Sequence, residues 1–317
     1  MSGSHLQSAT PVIIDCDPGQ DDAINLFLAF SSPDEVDVRG ITTVAGNCAL
    51  ALAQRNARMI CEMCERTDVR VFAGCDQPLI VRPVRAEHVH GKTGIDGIDV
   101  FEPRVPLQSQ HAADFIVEQA RRDERLTIVA TAPLTNIAVA LRKAPDIVHG
   151  IERIILMGGA MREGGNITPS AEFNMRVDPH AAQAVFSSGI PIVALGLDVT
   201  HRLLGTSDRL RVLGALGNRI ATATRDMLAF SERFDVAKYG TDGAPIHDPA
   251  TMAYLLRPDL FEVRSVSVQV ETASPLTIGH SAIDYWGVTS NERNVSWATS
   301  VDAEGFFDLL RDRLGRF

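Results

Sequence analysis

No apolar run in the sequence approaches the roughly 18 to 20 residues that a membrane-spanning helix needs, so no membrane role is expected. Basic charge is in short supply: 30 Lys and Arg stand against 40 Asp and Glu, for a formal net charge of −10. Phosphate backbones are bound by basic patches, so nucleic acid is not the expected partner. Cysteine is sparse and odd in number, at Cys16, Cys48, Cys61, Cys64 and Cys75, which suits a reducing cytoplasm better than a disulfide scaffold. Cys61 and Cys64 do form a C-x-x-C pair. They lie inside ALAQRNARMICEMCER, whose apolar spacing reads as a helix, and no second pair follows, so packing is favoured over redox or zinc chemistry. The opening MSGSHLQSAT has neither the basic nor the apolar region of a secretory signal. Residues 1–10 therefore read as a flexible segment outside the fold, and a cytoplasmic location is expected. With no Pro/Gly/Ser linker, repeat or low-complexity tract, residues 11–317 are expected to form one domain.

Apolar material is plentiful. At 45% hydrophobic and 22% charged residues, the chain can bury a sizeable core. Short runs rich in Val and Ile alternate with helical patterns: VIID before DDAINLFLAF, VRGITTV before the segment from Ala49 to Arg66, and LTIVA before LTNIAVALRK. RIILMGG and IPIVALGLDV continue the series around DPHAAQAVFSS. The pattern predicts an α/β fold with a mostly parallel, Rossmann-like open sheet and helices on both faces. VSVQVETASPLTIG and VSWATSVDAEGFFDLLRDRL read as a small C-terminal β addition and a closing helix.

The polar residues fall where such sheets bind ligands, at the carboxyl ends of the strands. VIID leads into Cys16, Asp17 and DPGQDD; ITTVAG into Asn47; LTIVA into Thr131; and IILMGGA into GGNITPSAEFN. These four loops are expected to converge. Asp15, Asp17, Asp21 and Asp22 lie within eight residues of one another in DCDPGQDDA, and carboxylates so close repel unless a cation neutralises them. Helix capping accounts for Asp21 or Asp22. It does not account for Asp15 and Asp17, which alternate along a strand and should point the same way. Oxygen-only donors suit Ca²⁺ or Mg²⁺ and not Zn²⁺. In PIHDPA, Asp248 precedes Pro249 and on its own reads as a helix cap.

DCDPGQDDA, VAGN, HGKTGIDG, ATAPLTN, MGGA, GGNITPSAEFN and HDPA resemble, in order and approximate spacing, the motifs of the nucleoside hydrolases, the inosine-uridine-preferring N-ribohydrolase family. The likeness runs from about Val12 to the closing helix. It implies a Ca²⁺ held by Asp17, Asp22, Asp248 and the carbonyl of Thr131, with Asp17 also acting as the base that takes a proton from water. It implies that His247 serves the departing base. Asp21, Asn47, Asn166, Glu172 and Asn174 would bind the sugar hydroxyls, with His90 near the base and the 5′ side. The implied substrate is a small nucleoside and the implied assembly a homodimer or homotetramer. Ala132 departs from the Gly that often follows the carbonyl-donating Thr in this family.

The base pocket is expected from RDMLAFSERFDVAKYGTDGAPIHD, where Phe230, Phe234 and Tyr239 either pack on a base or belong to the core. Pyrimidine-preferring relatives tend to carry Gln and Tyr four apart here; this chain has Asp235 and Tyr239. Neither Trp286 nor Trp297 falls at a pocket motif. The reading therefore leans to uridine and cytidine, with inosine also open. GKT lacks the first glycine of a P-loop, which would fall at Ala86, and GGAMREGG lacks G-x-G-x-x-G spacing, so neither ATP nor NAD is supported. Two rivals stay open: a haloacid-dehalogenase-like Mg-dependent phosphatase with Asp15 as nucleophile, and a non-catalytic nucleoside-binding protein.

Overall fold

The computed structural model describes residues 9–122 and 125–317, apart from the side chains of Glu87, His88, Asp235 and Ala237. Residues 1–8 of the expected N-terminal segment lie outside this range. The strands in chain order are β1 (Thr10–Cys16), β2 (Val36–Thr43), β3 (Val71–Ala73), β4 (Leu107–Gln108), β5 (Leu126–Ala130), β6 (Ile151–Met157), β7 (Ile192–Leu195), β8 (Leu204–Thr206), β9 (Gly243–Pro245), β10 (Phe261–Val270), β11 (Ser281–Asp284) and β12 (Val295–Val301). The helices are α1 (Gln20–Phe30), α2 (Leu50–Met63), α3 (Glu87–His90), α4 (Ala112–Arg122), α5 (Thr135–Lys143), α6 (Phe173–Val177), α7 (Pro179–Phe186), α8 (Leu197–Thr200), α9 (Ser207–Gly214), α10 (Arg219–Tyr239), α11 (Pro249–Leu256) and α12 (Ala303–Leu314).

Ten strands form one sheet in the order β11-β10-β12-β7-β6-β5-β1-β2-β3-β4, and β8 pairs with β9 separately. From β12 through β4 every pairing is parallel. Only β10 runs against its neighbours β11 and β12. The C-terminal strands thus extend the main sheet at one edge, and the fold is the open α/β sheet expected.

Alternation along β1 explains the two layers. Val12 and Ile14 face one core with Leu26 and Phe27 of α1, Met252 of α11 and Phe306 of α12. Ile13 faces the other, with Phe115 of α4, Ile137 of α5 and Val185 of α7. Full burial of each such side chain contributes roughly 1.5–3 kcal/mol, which anchors the strand ends where the polar loops begin. Cys61 is buried on α2 and Cys64 is buried at its C-cap. Burial pushes the Cys61 thiol up to about 12 and raises Cys64 as well, so both behave as packing residues. Among the described residues no helix is long and apolar enough to cross a membrane.

From β1 the chain builds the sheet outward through β2, β3 and β4, then returns to place β5 on the other side of β1. The order reverses between β1 and β5, and a crevice opens outside the carboxyl ends at such a switch point. Asp17 follows β1 and Thr131 follows β5.

Candidate active site

Asp21, Asp22 and Asp248 each bring a carboxylate oxygen to within 4.8 Å of the others. The first turn of α1 supplies two of them. Asp248 stands at the N-cap of α11 but makes no side-chain cap bond there, so the capping interpretation fails and its carboxyl is left to the cluster. Asp22 does both jobs: its Oδ2 accepts from Gly19 N at 3.0 Å, and its Oδ1 accepts from Thr131 Oγ1 at 2.6 Å. Burial, then repulsion from Asp21, pushes the Asp22 carboxyl up to about 7. Burial, then Asp21 and Asp22, holds Asp248 well above the usual carboxylate range.

Asp17 lies beside this trio and outside it. Asn47 N donates to its Oδ2 at 2.6 Å and Asn47 Nδ2 to its Oδ1 at 3.2 Å, while the same Nδ2 lies 3.3 Å from Asp22 Oδ2. Gly46 is required for this fit, because a Cβ there would lie 2.0 Å from Asp17 Oδ2. Burial, then Asp22, raises the Asp17 carboxyl too. Buried carboxyls that raise one another in this way fit a hard divalent cation, which relieves both the repulsion and the desolvation with oxygen ligands alone.

Asp15 takes no part. Its Oδ1 accepts from Thr42 Oγ1 at 2.6 Å and Asn136 Nδ2 at 2.8 Å, and its Oδ2 is enclosed without a hydrogen-bond partner. The expectation that Asp15 and Asp17 share one pocket is corrected here: β1 ends between them, and the chain turns Asp17 toward Asn47. A carboxylate buried this way cannot attack a phosphate, which removes the nucleophile that the phosphatase reading needs.

Asp21, Asn47, His90, Thr131, Asn166, Glu172, Asn174, Tyr239, His247 and Asp248 line one cavity. Backbone satisfaction decides what these side chains offer. Asn174 Nδ2 donates to Thr131 O at 3.0 Å and Met157 O at 3.2 Å, which leaves its Oδ1 as the free end of the amide. Asn47 likewise spends its Nδ2 on Asp17 and Asp22. Glu172 caps α6, accepting from Gly159, Asn174 and Met175 N at 2.9–3.1 Å, and keeps acceptor capacity on Oε1. Asn166 is more occupied than the sequence suggests: its Oδ1 accepts from Phe173 N at 2.8 Å, and its carbonyl accepts from Lys238 Nζ at 2.7 Å. The polar wall is therefore rich in acceptors and suits a ligand rich in hydroxyl donors.

The same cavity is also lined by the apolar and aromatic side chains of Val89, Ile167, Phe173, Phe234 and Tyr239. Phe234 and Tyr239 are pocket residues, while Phe230 stacks under Arg233, 4.0 Å from its guanidinium. Trp297 is fully buried in the core and Trp286 is 78% exposed, so neither lines the cavity. Asp235 has its side chain outside the described residues. His247, another lining residue, has Nδ1 2.8 Å from Thr200 Oγ1, and burial lowers its pKa to about 4. It is neutral at ordinary pH. His201, bonded to Glu163 at 3.2 Å, sits with its ring 5.0 Å from Tyr239 and 5.8 Å from His247. Thr200 and His201 escaped the sequence reading although GLDVTHR follows β7 at the same carboxyl edge as the motifs that were found.

The sequence matches the profile described as inosine-uridine preferring nucleoside hydrolase over residues 12–308. An uncharacterised protein of Schizosaccharomyces pombe is 46% identical over 96% of this chain and 99% of its own. The pyrimidine-specific ribonucleoside hydrolase RihA of Enterobacter sp. (strain 638) is 43% identical over 98% of this chain and 99% of its own. Among solved structures, a purine-preferring ribonucleoside hydrolase from Gardnerella vaginalis superimposes with a TM-score of 0.90 at 30% identity, covering 96% of this chain and 98% of that one.

Proposed function

Since the chain belongs to the inosine-uridine preferring nucleoside hydrolase family, hydrolases that cleave the N-glycosidic bond, we propose that its cavity takes pyrimidine ribonucleosides in a Ca²⁺-dependent reaction. The observation that carries the reading is the mixed lining of one cavity: carboxylates and side-chain amides together with Phe173, Phe234 and Tyr239. A ribose is a donor-rich ring and a base is a flat apolar face.

Asp17, Asp22, Asp248 and the Thr131 carbonyl would hold the ion, with Asp21 as the adjoining carboxylate. When bound, a hard cation lowers the pKa of nearby water and favours a vicinal diol. Asp17 is the proposed general base, kept in place by two hydrogen bonds from Asn47. Asn47, Asn174 and Glu172 accept from the sugar hydroxyls and fix the ring, so that contacts remote from the reacting bond orient it. His247, its pKa lowered by burial, would meet the departing base as a neutral ring whose Nδ1 is engaged with the Thr200 hydroxyl. That is hydrogen-bond assistance to a nitrogen leaving group rather than full protonation by an imidazolium.

The pyrimidine preference rests on RihA, the closer match in sequence to this chain than the purine-preferring structure, and on the absence of tryptophan from the described cavity wall. The proposal extends to a single domain over residues 11–317, a homodimer or homotetramer and a cytoplasmic location, for which the family likeness and the free cysteines are the support. The test is a nucleoside panel read by release of reducing sugar. Uridine and cytidine should give higher kcat/KM than inosine, and an aryl phosphate should not turn over. Tight nucleoside binding without ribose release from any substrate would replace the enzyme with the non-catalytic binding protein.

A further inference from the structure

Thr200 ends the short helix α8, is fully buried and belongs to none of the motifs that carry the chemistry. A threonine hydroxyl inside a helix can return to the carbonyl four residues earlier. Thr222 and Thr224 of α10 do this, donating to Asn218 O and Ile220 O, each at 2.9 Å. Thr200 does not. Among the described residues its hydroxyl meets only His247 Nδ1, at 2.8 Å.

The main chain is fixed on both sides of that bond. Thr200 N donates to Gly196 O at 3.2 Å, and Gly196 has no room for a side chain, since a Cβ there would lie 2.5 Å from Trp297 Cζ2 and 2.7 Å from Gly159 O. Asp198 of the same helix accepts from Met161 N and Arg162 N, both at 2.7 Å, which ties α8 to the loop after β6. On the other side, Ile246 N donates to Leu203 O at 2.9 Å, and Leu204 pairs with Pro245 where β8 meets β9. Backbone bonds therefore hold the chain at His247 beside α8, but they leave the rotation of the imidazole open, because the terminal torsion of a histidine is broad and roughly two-fold. The Thr200 hydroxyl selects one setting. Half a turn of the ring would put a carbon against Oγ1 and leave a buried hydroxyl without a partner, which folded proteins avoid.

We infer that Thr200 is a positioning residue: its hydroxyl fixes the imidazole rotation of His247, and through it the assistance that this histidine gives to a nitrogen leaving group. The leaving-group part rests on the nucleoside hydrolase reading, and the hold on the ring does not. A hydroxyl both donates and accepts, so the bond fixes the ring in either direction and the role is one of geometry. Thr200 is not among the residues that line the cavity, whereas His247 is. Its effect passes through the histidine.

Thr200→Val keeps the shape and removes the hydroxyl, and Thr200→Ser keeps the hydroxyl. In the calcium-loaded protein, Thr200→Val should lower kcat for uridine about tenfold to a hundredfold and leave KM within about twofold, as expected when a group that assists bond breaking is misaligned. On 4-nitrophenyl β-D-ribofuranoside, whose phenolate leaves as a stable anion without a proton, kcat should stay within about twofold. Thr200→Ser should bring uridine turnover back to within about threefold of the parent. Equal losses on both substrates, or parental uridine turnover in Thr200→Val, would overturn the inference. Thr224→Val deletes an equally buried hydroxyl on α10 and controls for destabilisation. It should lower Tm without changing the ratio of the two turnover rates; a ratio that shifts as in Thr200→Val would make the effect one of general stability and overturn the inference. Should Thr200→Val not fold, Thr200→Ala takes the same measurements. Crystal structures give a readout that needs no activity: His247 should hold one ring setting in the parent and Thr200→Ser and depart from it in Thr200→Val. An unmoved ring overturns the inference, whatever the enzyme hydrolyses. A moved ring, with no sugar released by the parent from either substrate, means that the hydrolase reading fails and the hold on the ring stands.

Discussion

Asp17 and Asp22 differ by what touches them, and that difference is testable. Asp17 has both oxygens on Asn47, whereas Asp22 belongs to the trio with Asp21 and Asp248. Asp17→Asn should fold normally and lose roughly 10²- to 10⁴-fold in kcat, the scale of a lost general base; turnover near that of the parent would remove Asp17 from the role. Asp248→Asn should act on the ion instead. The purified variant is expected to retain less than one calcium per chain by atomic emission, and full occupancy would contradict the ligand assignment. Legibility also varied at this scale. Asp248 looked like a cap in HDPA because Asp before Pro is a common helix start. Only its position across from Asp22, more than two hundred residues away in sequence, shows what the carboxyl faces.

At the scale of elements, the strands and their carboxyl ends were readable from buried apolar runs, since a parallel strand covered on both faces leaves little choice of side chain. The apolar wall was half readable. Helical spacing on α10 could not separate Phe230 from Phe234, because both lie on a partly buried face and only the position of the neighbouring loops decides which one meets the cavity. The C-terminal addition offers a pH test away from the site. At the end of β11, Asp284 accepts from Val288 N, Thr289 N and Thr289 Oγ1 at 2.6–2.8 Å, and these bonds lower its carboxyl to about 2. A folded pKa below the unfolded value of about 3.9 contributes stability that is present above pH 4 and lost as pH falls through 2. Asp284→Asn should therefore lower Tm at pH 7, and the gap from the parent should close toward pH 2. A gap that stays constant across that window would show that the bonds do not depend on the charge.

For the whole molecule, the acidic crevice at the β1/β5 reversal couples metal to stability. Removing calcium with EDTA should lower Tm by several degrees, because an ion present at about a hundred times its Kd stabilises the native state by about 2.7 kcal/mol. Added CaCl2 should restore the value and NaCl should not. An unchanged Tm in a protein shown to have lost its metal would mean that the carboxyls accommodate one another without it. The sign follows from the burial of Asp17, Asp22 and Asp248, whose carboxyls are all raised in the absence of a cation.

The sequence by itself determined the class of fold, the edge of the sheet at which chemistry would gather and the family to which the motifs belong. These are properties of local runs: apolar periodicity sets a strand, and a strand end sets where polar residues can meet a ligand. Tertiary structure alone decided which carboxyls share a pocket and which side-chain amides are taken up by neighbouring groups. Each of those depends on a hydrogen-bond partner or a charge brought close by folding, and distance between residues far apart in the chain is not written in their order.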